Sequence, residues 1–309
     1  MPLSLVFCGT PPFAVPALEK LVAAGHRIHL VVTQPDRPKG RGLELVASPV
    51  KQSALKLNLP ITQPDRIKTN DAFRAQLTAL NPDAIIIVGY GRIIPHWMLA
   101  LPPLGNINLH ASLLPKYRGA APIQWAIANG ETVTGNTTMH IDAGLDTGDI
   151  LLQHELAITP DDTAETLAPR LAAMGADLVV ETLSKLQSGT ITARQQDNSQ
   201  SSLAPILKKE DGLVDFSRSA TEIFNRQRGF QPWPGAHTKF RGKNLQLQKI
   251  QPANEVIPPS ELRVHDNRLL VGCAHNTALE LLELQLEGKK RTTARDFIQG
   301  YRPQNEKLG

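Results

Sequence analysis

Cysteine and long apolar runs are both scarce in this 309-residue sequence. Its two cysteines, Cys8 and Cys273, are too few for a disulfide framework and lack the spacing of metal ligands, which favours a reducing compartment. No run approaches the roughly 18 apolar residues that span a bilayer. The first residues lack the positive region of a signal peptide and the Arg-rich amphipathic pattern of a transit peptide, so we expect a cytoplasmic protein.

Motifs that bind dinucleotides, nucleoside triphosphates or metals are also missing. The first turn, FCGTPPFA, has Gly9, then Thr10 and two prolines, where a dinucleotide fold carries G-x-G-x-x-G. This disfavours a nicotinamide or flavin cofactor. No glycine-rich loop ends in Gly-Lys-Ser or Gly-Lys-Thr, which disfavours nucleotide hydrolysis. The nine histidines have no ligand spacing, so we predict no metal site.

The first half of the chain alternates short apolar runs with helical patterns. This alternation predicts a doubly wound, mostly parallel α/β sheet with helices on both faces, a Rossmann-like arrangement. The run from Ala84 to Val88 is apolar throughout, as expected of a parallel strand covered on both sides. A long helical pattern follows at residues 160–189, with Asp162 and Glu165 at the spacing of a capping box.

The composition changes where that helical pattern ends. Residues 190–206 are rich in Ser, Gln, Asn and Asp without apolar periodicity, so we predict a linker there. Beyond it, short strand-like runs separated by turn residues predict a small OB-like β-barrel, a fold often used on nucleic acids. The sequence therefore predicts an N-terminal domain at residues 1–189 and a C-terminal domain at residues 207–309.

Charge is unevenly distributed between these two parts. Residues 1–190 hold 15 Lys and Arg against 16 Asp and Glu, whereas residues 191–309 hold 18 against 13. The basic second part fits a polyanionic partner such as nucleic acid. From charge alone, an ordinary solvated surface is an equally good interpretation.

Polar residues interrupt an apolar strand in the segment GNINLHASLLPKYRG. Because side chains alternate along a strand, Asn108 and His110 share one face while Ile107 and Leu109 occupy the other. Asp146 lies on the glycine-flanked turn GLDTGD, and loops at the carboxyl ends of parallel strands converge on one crevice. The three polar groups together suit acyl transfer. A carboxamide N–H can hold an oxyanion, a carboxylate can keep an imidazole protonated, and the proton of an attacking amine needs an acceptor.

Other polar residues nearby have a simpler interpretation. Ser112 is not part of a nucleophile elbow, and Cys8 lies on an apolar strand, so covalent catalysis lacks support. Asn106 follows Gly105 and is interpreted as a structural turn residue.

The segments NLHASLLPKYRGAAPIQWAI and TGNTTMHIDAGLDTGDIL resemble the folate-dependent formyltransferases, which share Asn-x-His, Ser-Leu-Leu-Pro and an Asp-x-Gly-Asp turn. The likeness extends over essentially the whole chain, through GTPPFAVPALEKL, TQPDRPKGRG, VGYGRIIP, DGLVDFSRSATEIFNRQRGFQPWPGA and LELLELQLEGKKRTTARDFIQG. These segments are typical of the family members that act on methionyl-tRNA.

The resemblance implies that a formyl group passes from 10-formyltetrahydrofolate to the α-amino group of methionyl initiator tRNA, without a metal. It implies that Asn108, His110 and Asp146 are catalytic, and their chemistry independently indicates the same three. Residues 207–309 would then be a tRNA-binding domain. The implied folate contacts are Val88, Gly89, Tyr90, Gly91, Ser112, Leu113, Leu114 and Pro115, and the implied tRNA contacts are Arg37, Lys39 and Arg41.

The loop TQPDRPKGRG, considered without the resemblance, combines cations with glycine and proline, which suits a segment that becomes ordered on phosphate. Arg92, Asn136 and Pro12 depart from the residues usual in the family, which leaves the edge of the folate pocket open. We expect the protein to act as a monomer.

Two other functions fit part of the sequence. A formyltransferase for a nucleotide sugar or a ribonucleotide would share the catalytic residues. It would not require the basic loop or, for the ribonucleotide enzyme, the barrel. A non-enzymatic tRNA-binding protein would keep the barrel and the loop but would have no use for the three catalytic residues together.

Overall fold

The computed structural model describes residues 1–39 and 44–309. Within these ranges the chain divides into two compact units. Unit 1 comprises Met1–Gly119, Val133–Ala157 and Ala168–Ala204, and unit 2 comprises Ala120–Thr132, Ile158–Leu167 and Pro205–Gly309. No helix among the described residues is both long and apolar enough to span a membrane.

Unit 1 is built on nine strands and four helices, together with most of a fifth helix. The strands are β1 (Ser4–Gly9), β2 (Arg27–Val32), β3 (Arg37–Lys39), β4 (Glu44–Val46), β5 (Ile61–Thr62), β6 (Ala84–Val88), β7 (Asn106–His110), β8 (Val133–His140) and β9 (Ile150–Ala157). The helices are α1 (Val15–Ala23), α2 (Pro49–Lys56), α3 (Asp71–Leu80) and α4 (His96–Leu99), and the long helix of residues Ala164–Gln187 joins unit 1 from Ala168 onward.

Seven of these strands form one sheet in the order β5-β2-β1-β6-β7-β8-β9. Five neighbouring strands of this sheet, in the order β5, β2, β1, β6 and β7, pair in parallel. Strands β8 and β9 add an antiparallel edge. Alternate residues of β1 enter different hydrophobic clusters, Leu5 and Phe7 in one and Val6 and Cys8 in the other. The sheet is therefore covered on both faces, and the predicted doubly wound, mostly parallel fold is confirmed.

The chain order places a topological switch point between β1 and β6. From β1 the chain proceeds outward to β2 and β5, and it then returns to β6 and β7 on the other side. In open α/β sheets, ligands bind outside the carboxyl ends of the strands at this point. The segments that follow β1 and β6 are therefore the expected location of a ligand crevice.

Unit 2 contains an antiparallel sheet and three helices. Its elements are α5 (Pro122–Ala128), α7 (Ala220–Gly229), β10 (His237–Phe240), β11 (Lys243–Ala253), β12 (Leu262–His265), β13 (Arg268–Cys273), β14 (Thr277–Leu286), β15 (Thr292–Thr293) and α8 (Ala294–Tyr301). The strand order in the sheet is β10-β11-β14-β13-β12, and β15 pairs with β14. An antiparallel sheet of this kind agrees with the predicted OB-like domain.

The long helix between these parts of the chain is named α6 (Ala164–Gln187). The predicted capping box of Asp162 and Glu165 is wrong. The Thr166 backbone N–H donates to the Thr163 hydroxyl across 3.3 Å, and the Thr163 N–H donates to the Thr166 hydroxyl across 2.9 Å. Asp162 instead accepts from the Thr166 hydroxyl, so the sequence spacing identified the right turn but shifted the cap by one residue.

Helix α6 approaches the sheet closely at Gly175. A methyl group there would lie 2.7 Å from Leu109 of β7 and 3.0 Å from the Asn136 amide nitrogen of β8. Asn136 is fully buried and donates to the Leu171 carbonyl across 2.7 Å. The unusual asparagine is thus explained by a helix backbone that comes within hydrogen-bond distance of the strand.

Residues 190–206, the predicted linker, divide between the two units at Ala204. Residues 190–204 belong with unit 1, where Arg194 exchanges two backbone hydrogen bonds of 2.8 Å with Ile150 at the start of β9. Their polar composition reflects hydrogen bonds to unit 1 as well as exposure to solvent. The domain boundaries at residues 189 and 207 stay predictions.

Candidate active site

The polar face of β7 lies next to the switch point. Asn108 pairs in register with Ile87 of β6, and Ile87 pairs with Cys8 of β1. His110, two residues further along, is therefore level with Gly89, the first residue after β6. Asn108 and His110 share one face because they are two residues apart on a strand. The sheet thus carries both side chains to the carboxyl end at which ligands bind.

Asn108 has a half-buried side chain with unused hydrogen-bonding capacity. Among the residues that the structure describes, no side chain or backbone group bonds its carboxamide. Asn106 differs, since it is buried and donates to the carbonyls of Met98 and Leu99 at the end of α4. The structural interpretation of Asn106 is confirmed, although it caps a helix rather than forming a turn. Asn108 is left available for a ligand.

His110 is buried, with a relative exposure of 6 %, and each of its ring nitrogens faces a protein oxygen. Nε2 lies 2.8 Å from the carbonyl oxygen of Tyr117. A carbonyl can only accept, so Nε2 carries the hydrogen. Nδ1 lies 3.7 Å from Oδ2 of Asp146, close enough for an ion pair but too long for a hydrogen bond. Both ring nitrogens therefore face protein oxygens, which fixes the orientation of the ring.

Asp146 reaches His110 from a turn between β8 and β9. Its backbone is left-handed, with φ of 52°, and its side chain is 17 % exposed. Oδ2 accepts a hydrogen bond of 2.8 Å from the backbone N–H of Gly119. The predicted approach of Asp146 to His110 across the sequence gap is therefore present in the structure.

A second group of residues, not identified from the sequence, surrounds this pair. Tyr117 supplies the carbonyl for His110, and Gly119 supplies the N–H for Asp146. The turn that carries both is held by Ser202, whose backbone carbonyl accepts from Arg118 N–H and whose hydroxyl accepts from Tyr117 N–H. The sequence hinted at these contacts only in that LLPKYRG, which contains Tyr117 and Gly119, follows closely after the strand with Asn108 and His110.

Buried Gln196 completes this surrounding group. Its amide nitrogen donates to the carbonyls of Asp146 and Gly148, and its amide oxygen accepts from Arg118. Part of the polar segment that predicted a linker therefore forms hydrogen bonds with the turn that carries Asp146.

The eight predicted folate contacts differ in accessibility. Val88, Tyr90, Ser112 and Leu114 are buried, so their side chains face protein. The Ser112 hydroxyl donates to the Lys116 carbonyl and spans the turn that contains the cis peptide before Pro115. The exposed or half-exposed members are Gly89, Gly91, Leu113 and Pro115.

The two glycines after β6 form an open backbone edge of the crevice. Gly89 and Gly91 have φ of 55° and 72°, and a methyl group would lie 2.7 Å from Pro11 at the first and 2.8 Å from the Gln34 amide at the second. Glycine therefore keeps this backbone accessible. Gly89 and Gly91 are both exposed, and backbone polar groups at an exposed edge can meet the donors and acceptors of a flat heterocycle, so these residues fit a pterin ring.

The predicted tRNA contacts lie just beyond β2. Arg37 begins β3 and is exposed, and Lys39 ends it. Strand β3 pairs with β4 as a separate two-stranded ribbon. Arg41 lies outside the described residues.

Two other ionisable side chains near the site, those of Cys8 and Tyr90, are buried. Burial raises the pKa of the Cys8 thiol far above its ordinary value, so this side chain belongs to the core, as predicted. Burial likewise raises the pKa of Tyr90, whose hydroxyl lies in the core without a hydrogen-bond partner among the described residues. Among the described residues, no three His, Cys, Asp or Glu side chains are grouped so that they could hold a metal ion. Nothing in the structure explains Arg92 or Pro12 at their positions.

Family models cover most of the chain. The model described as "Formyl transferase" matches residues 3–183, and "Formyl transferase, C-terminal domain" matches residues 206–302. A methionyl-tRNA formyltransferase of Koribacter versatilis is 68% identical over 306 residues, which are 99% of this chain and 98% of that protein. A methionyl-tRNA formyltransferase of Acidobacterium capsulatum is 62% identical, with 96% of each chain covered.

Solved structures share the fold at lower identity. The N-formyltransferase from Helicobacter canadensis, in complex with folinic acid and dTDP-3-aminofucose, has a TM-score of 0.68 and 19% identity over 91% of this chain and 99% of that chain. The glycinamide ribonucleotide transformylase 1 from Symbiobacterium toebii has a TM-score of 0.52 and 23% identity over 63% of this chain and 95% of that chain. These likenesses confirm the fold.

Proposed function

The chain belongs to the methionyl-tRNA formyltransferase family, and we propose that it formylates the α-amino group of methionyl initiator tRNA with 10-formyltetrahydrofolate as donor. The observation that supports this most directly is the meeting of His110 and Asp146, 3.7 Å apart, beside the free carboxamide of Asn108. When bound, the donor supplies a formyl group on a poorly basic nitrogen. The accessible backbone of Gly89 and Gly91 would hold its pterin ring, with Leu113 and Pro115 alongside.

Asn108 stabilises the negative charge that develops on the formyl oxygen. Its N–H groups are not committed to protein acceptors among the described residues. One such oriented donor contributes roughly 3 to 4 kcal/mol to transition-state stabilisation. His110 supplies the second donor through Nδ1, because Nε2 is already bonded to Tyr117.

Asp146 orients the imidazole of His110 and accepts the proton that the attacking amine loses, directly or through water. Its Oδ2 is held by Gly119 and faces the imidazole. Oδ1 has no partner among the described residues and is free to accept. The catalytic groups thus divide the work, with donors for the oxygen and a carboxylate for the proton.

The acceptor is a polyanion, and two basic regions fit it. Arg37 and Lys39 follow β2 at the end of the sheet where the crevice lies, and Arg41 comes two residues after Lys39 in the sequence. Residues 191–309 carry an excess of five positive charges, which suits contacts with tRNA phosphates. We propose a cytoplasmic enzyme that acts as a monomer.

The test is formyl transfer to charged initiator tRNA. We compare wild type, Asn108→Ala and His110→Ala, with His154→Ala as control because His154 pairs with Glu181 on the surface. Wild type and control should be active, and both catalytic variants should lose at least about 100-fold in kcat. Full activity in both variants would refute the assigned roles. Absence of transfer by wild type, with transfer to an amino sugar nucleotide or a ribonucleotide amine instead, would establish the alternative acceptor.

A further inference from the structure

Asp146 is one of the non-glycine residues with a left-handed backbone, with φ of 52°. Aspartate adopts this conformation more readily than most residues, so the turn needs no glycine at this position. The turn from Asp142 to Asp149 contains two glycines and is largely exposed before Asp146. Its internal hydrogen bonds run from Gly144 and Thr147 to the Asp142 carboxylate and do not reach Asp146. The direction of the Asp146 carboxylate is therefore set from elsewhere.

Gln196 provides that support from the backbone side. Its amide nitrogen donates to the Asp146 carbonyl at 2.8 Å and to the Gly148 carbonyl at 2.7 Å. A primary amide has two N–H donors, so one side chain satisfies both carbonyls at once. Gln196 is 6 % exposed, which shields both bonds from water.

Arg118 fixes the other end of the same amide. Its Nε and Nη2 donate to the Gln196 oxygen across 3.1 and 2.7 Å, and Nη2 also donates to Asn198 across 2.8 Å. Among the described residues no carboxylate pairs with this buried guanidinium. A cation on the amide oxygen strengthens both N–H bonds of the same amide, because hydrogen bonds in a chain polarise one another.

The same arginine is linked to the carboxylate of Asp146 through the backbone. Gly119, the next residue, donates the 2.8 Å bond to Asp146 Oδ2. Arg118 itself is held between Ser202 and Ala204 by backbone bonds of 2.8 and 2.7 Å. Asp146 is therefore bonded at two points: Gln196 donates to its backbone carbonyl, and Gly119, which follows Arg118, donates to its carboxylate.

We propose that Gln196, held by Arg118, is a positioning residue that fixes the carboxylate of Asp146 against His110 for formyl transfer. The proposal rests on the proposed function, because it assigns Gln196 to the catalytic step through Asp146. Gln196 acts without touching either substrate. Its loss therefore lowers kcat while the KM values for donor and tRNA stay near those of wild type.

The decisive variant is Gln196→Glu. A carboxylate still accepts from Arg118, but it has no hydrogen to give to the two carbonyls and faces them with negative charge. We expect kcat to fall about 10- to 100-fold, the loss associated with a displacement of about 1 Å in a catalytic group. The KM values for donor and tRNA should stay near those of wild type, because Gln196 touches neither substrate. A purely structural role predicts that kcat and KM change together.

The matched control is Gln195→Glu, the same change on the neighbouring exposed residue of the same segment. Gln196→Met, uncharged and of similar length, is the second variant and should lower kcat in the same way at unchanged KM. Binding of a non-reactive folate analogue and the thermal midpoint verify that each variant is folded. If Gln196→Glu does not fold, the Gln196→Met result decides.

Three outcomes separate the claims. A fall in kcat at unchanged KM for the Gln196 variants, with the Gln195 control normal, supports the proposal. If Asp146→Asn is inactive while folded Gln196 variants match the Gln195 control, the positioning role is overturned and the proposed function stands. If wild type itself transfers no formyl group to methionyl-tRNA, the proposed function fails, and this inference fails with it.

Discussion

The Nε2 hydrogen of His110 is donated to the carbonyl oxygen of Tyr117 across 2.8 Å, deep inside unit 1. The turn that contains Tyr117 also supplies, two residues later, the Gly119 N–H that bonds Asp146. One turn therefore orients both members of the pair. It leaves Nδ1 of the ring facing the Asp146 carboxylate, 3.7 Å away.

Replacing Asn108 with aspartate tests the oxyanion role with almost no change in shape. Asn108→Asp places an acceptor and a negative charge where we propose that the formyl oxygen gathers charge, so kcat should fall by more than the 100- to 1,000-fold typical of losing one donor. Steady-state assays with saturating donor measure kcat. The KM for the donor should change little, and a variant with near-normal kcat would contradict the role.

Salt dependence tests the predicted tRNA contacts. Arg37→Ala and Arg41→Ala should each weaken tRNA binding, and each should reduce the slope of log affinity against log salt by about one. Arg27→Ala is the control, since Arg27 is exposed at the opposite end of β2. Binding titrations at several salt concentrations measure the slopes. Equal slopes for all three variants would show that the loop does not contact phosphate.

Gly175→Ala tests the close approach of α6 to β7, the strand that carries Asn108 and His110. Alanine normally favours a helix over glycine by up to about 1 kcal/mol. Here the methyl group would press on Leu109 and Asn136, so we expect a loss of about 1 to 3 kcal/mol in the free energy of unfolding. Gly300→Ala in α8 is the control, because nothing lies within 4 Å of a methyl group there, and it should be stabilising. Urea unfolding measures both, and a stabilised Gly175→Ala would contradict the packing.

His140 makes stability depend on pH. Burial lowers its pKa from the ordinary value of 6.5, and the nearby Asp149 only partly opposes this. As the pH falls below 6.5, the unfolded chain binds a proton that the folded chain resists, so stability is lost toward the lower folded pKa. Burial lowers the pKa of His26 and His237 as well, and they add to the trend.

Thermal midpoints between pH 7.5 and pH 5 should therefore decrease for wild type, and the decrease should be smaller for His140→Gln. His275→Gln is the control, since His275 is exposed in unit 2. Parallel curves for wild type and His140→Gln would show that His140 carries none of the effect.

Sequence patterns predicted what local periodicity determines. Alternating elements gave the parallel sheet, the apolar run Ala84–Val88 is a fully buried strand, and the shared face of Asn108 and His110 follows from strand geometry alone. The family indicated by the motifs is confirmed by its relatives at 45–68% identity. The folate and tRNA contacts stay predictions.

What the sequence did not reveal depends on contacts between distant segments. The antiparallel edge formed by β8 and β9 has the same strand pattern as a parallel one, and the roles of Gln196 and Arg118 depend on a fold that brings them together. Polar composition at residues 190–206 favoured a linker because hydrogen bonds to a turn and exposure to water select the same residue types. Asn136 was unusual for the same reason, since its partner is a helix carbonyl 35 residues away.

Gln196, which bonds the carbonyls of Asp146 and Gly148, lies in the last segment of unit 1 to leave the ribosome. A nascent chain that ends before Gln196 already contains Asn108, His110 and Asp146, yet it lacks these two hydrogen bonds. On the proposed role of Gln196, Asp146 is fixed against His110 only after residues 196–204 have been synthesised and have docked on unit 1, so the site would be completed in one late step rather than gradually with each strand of the sheet.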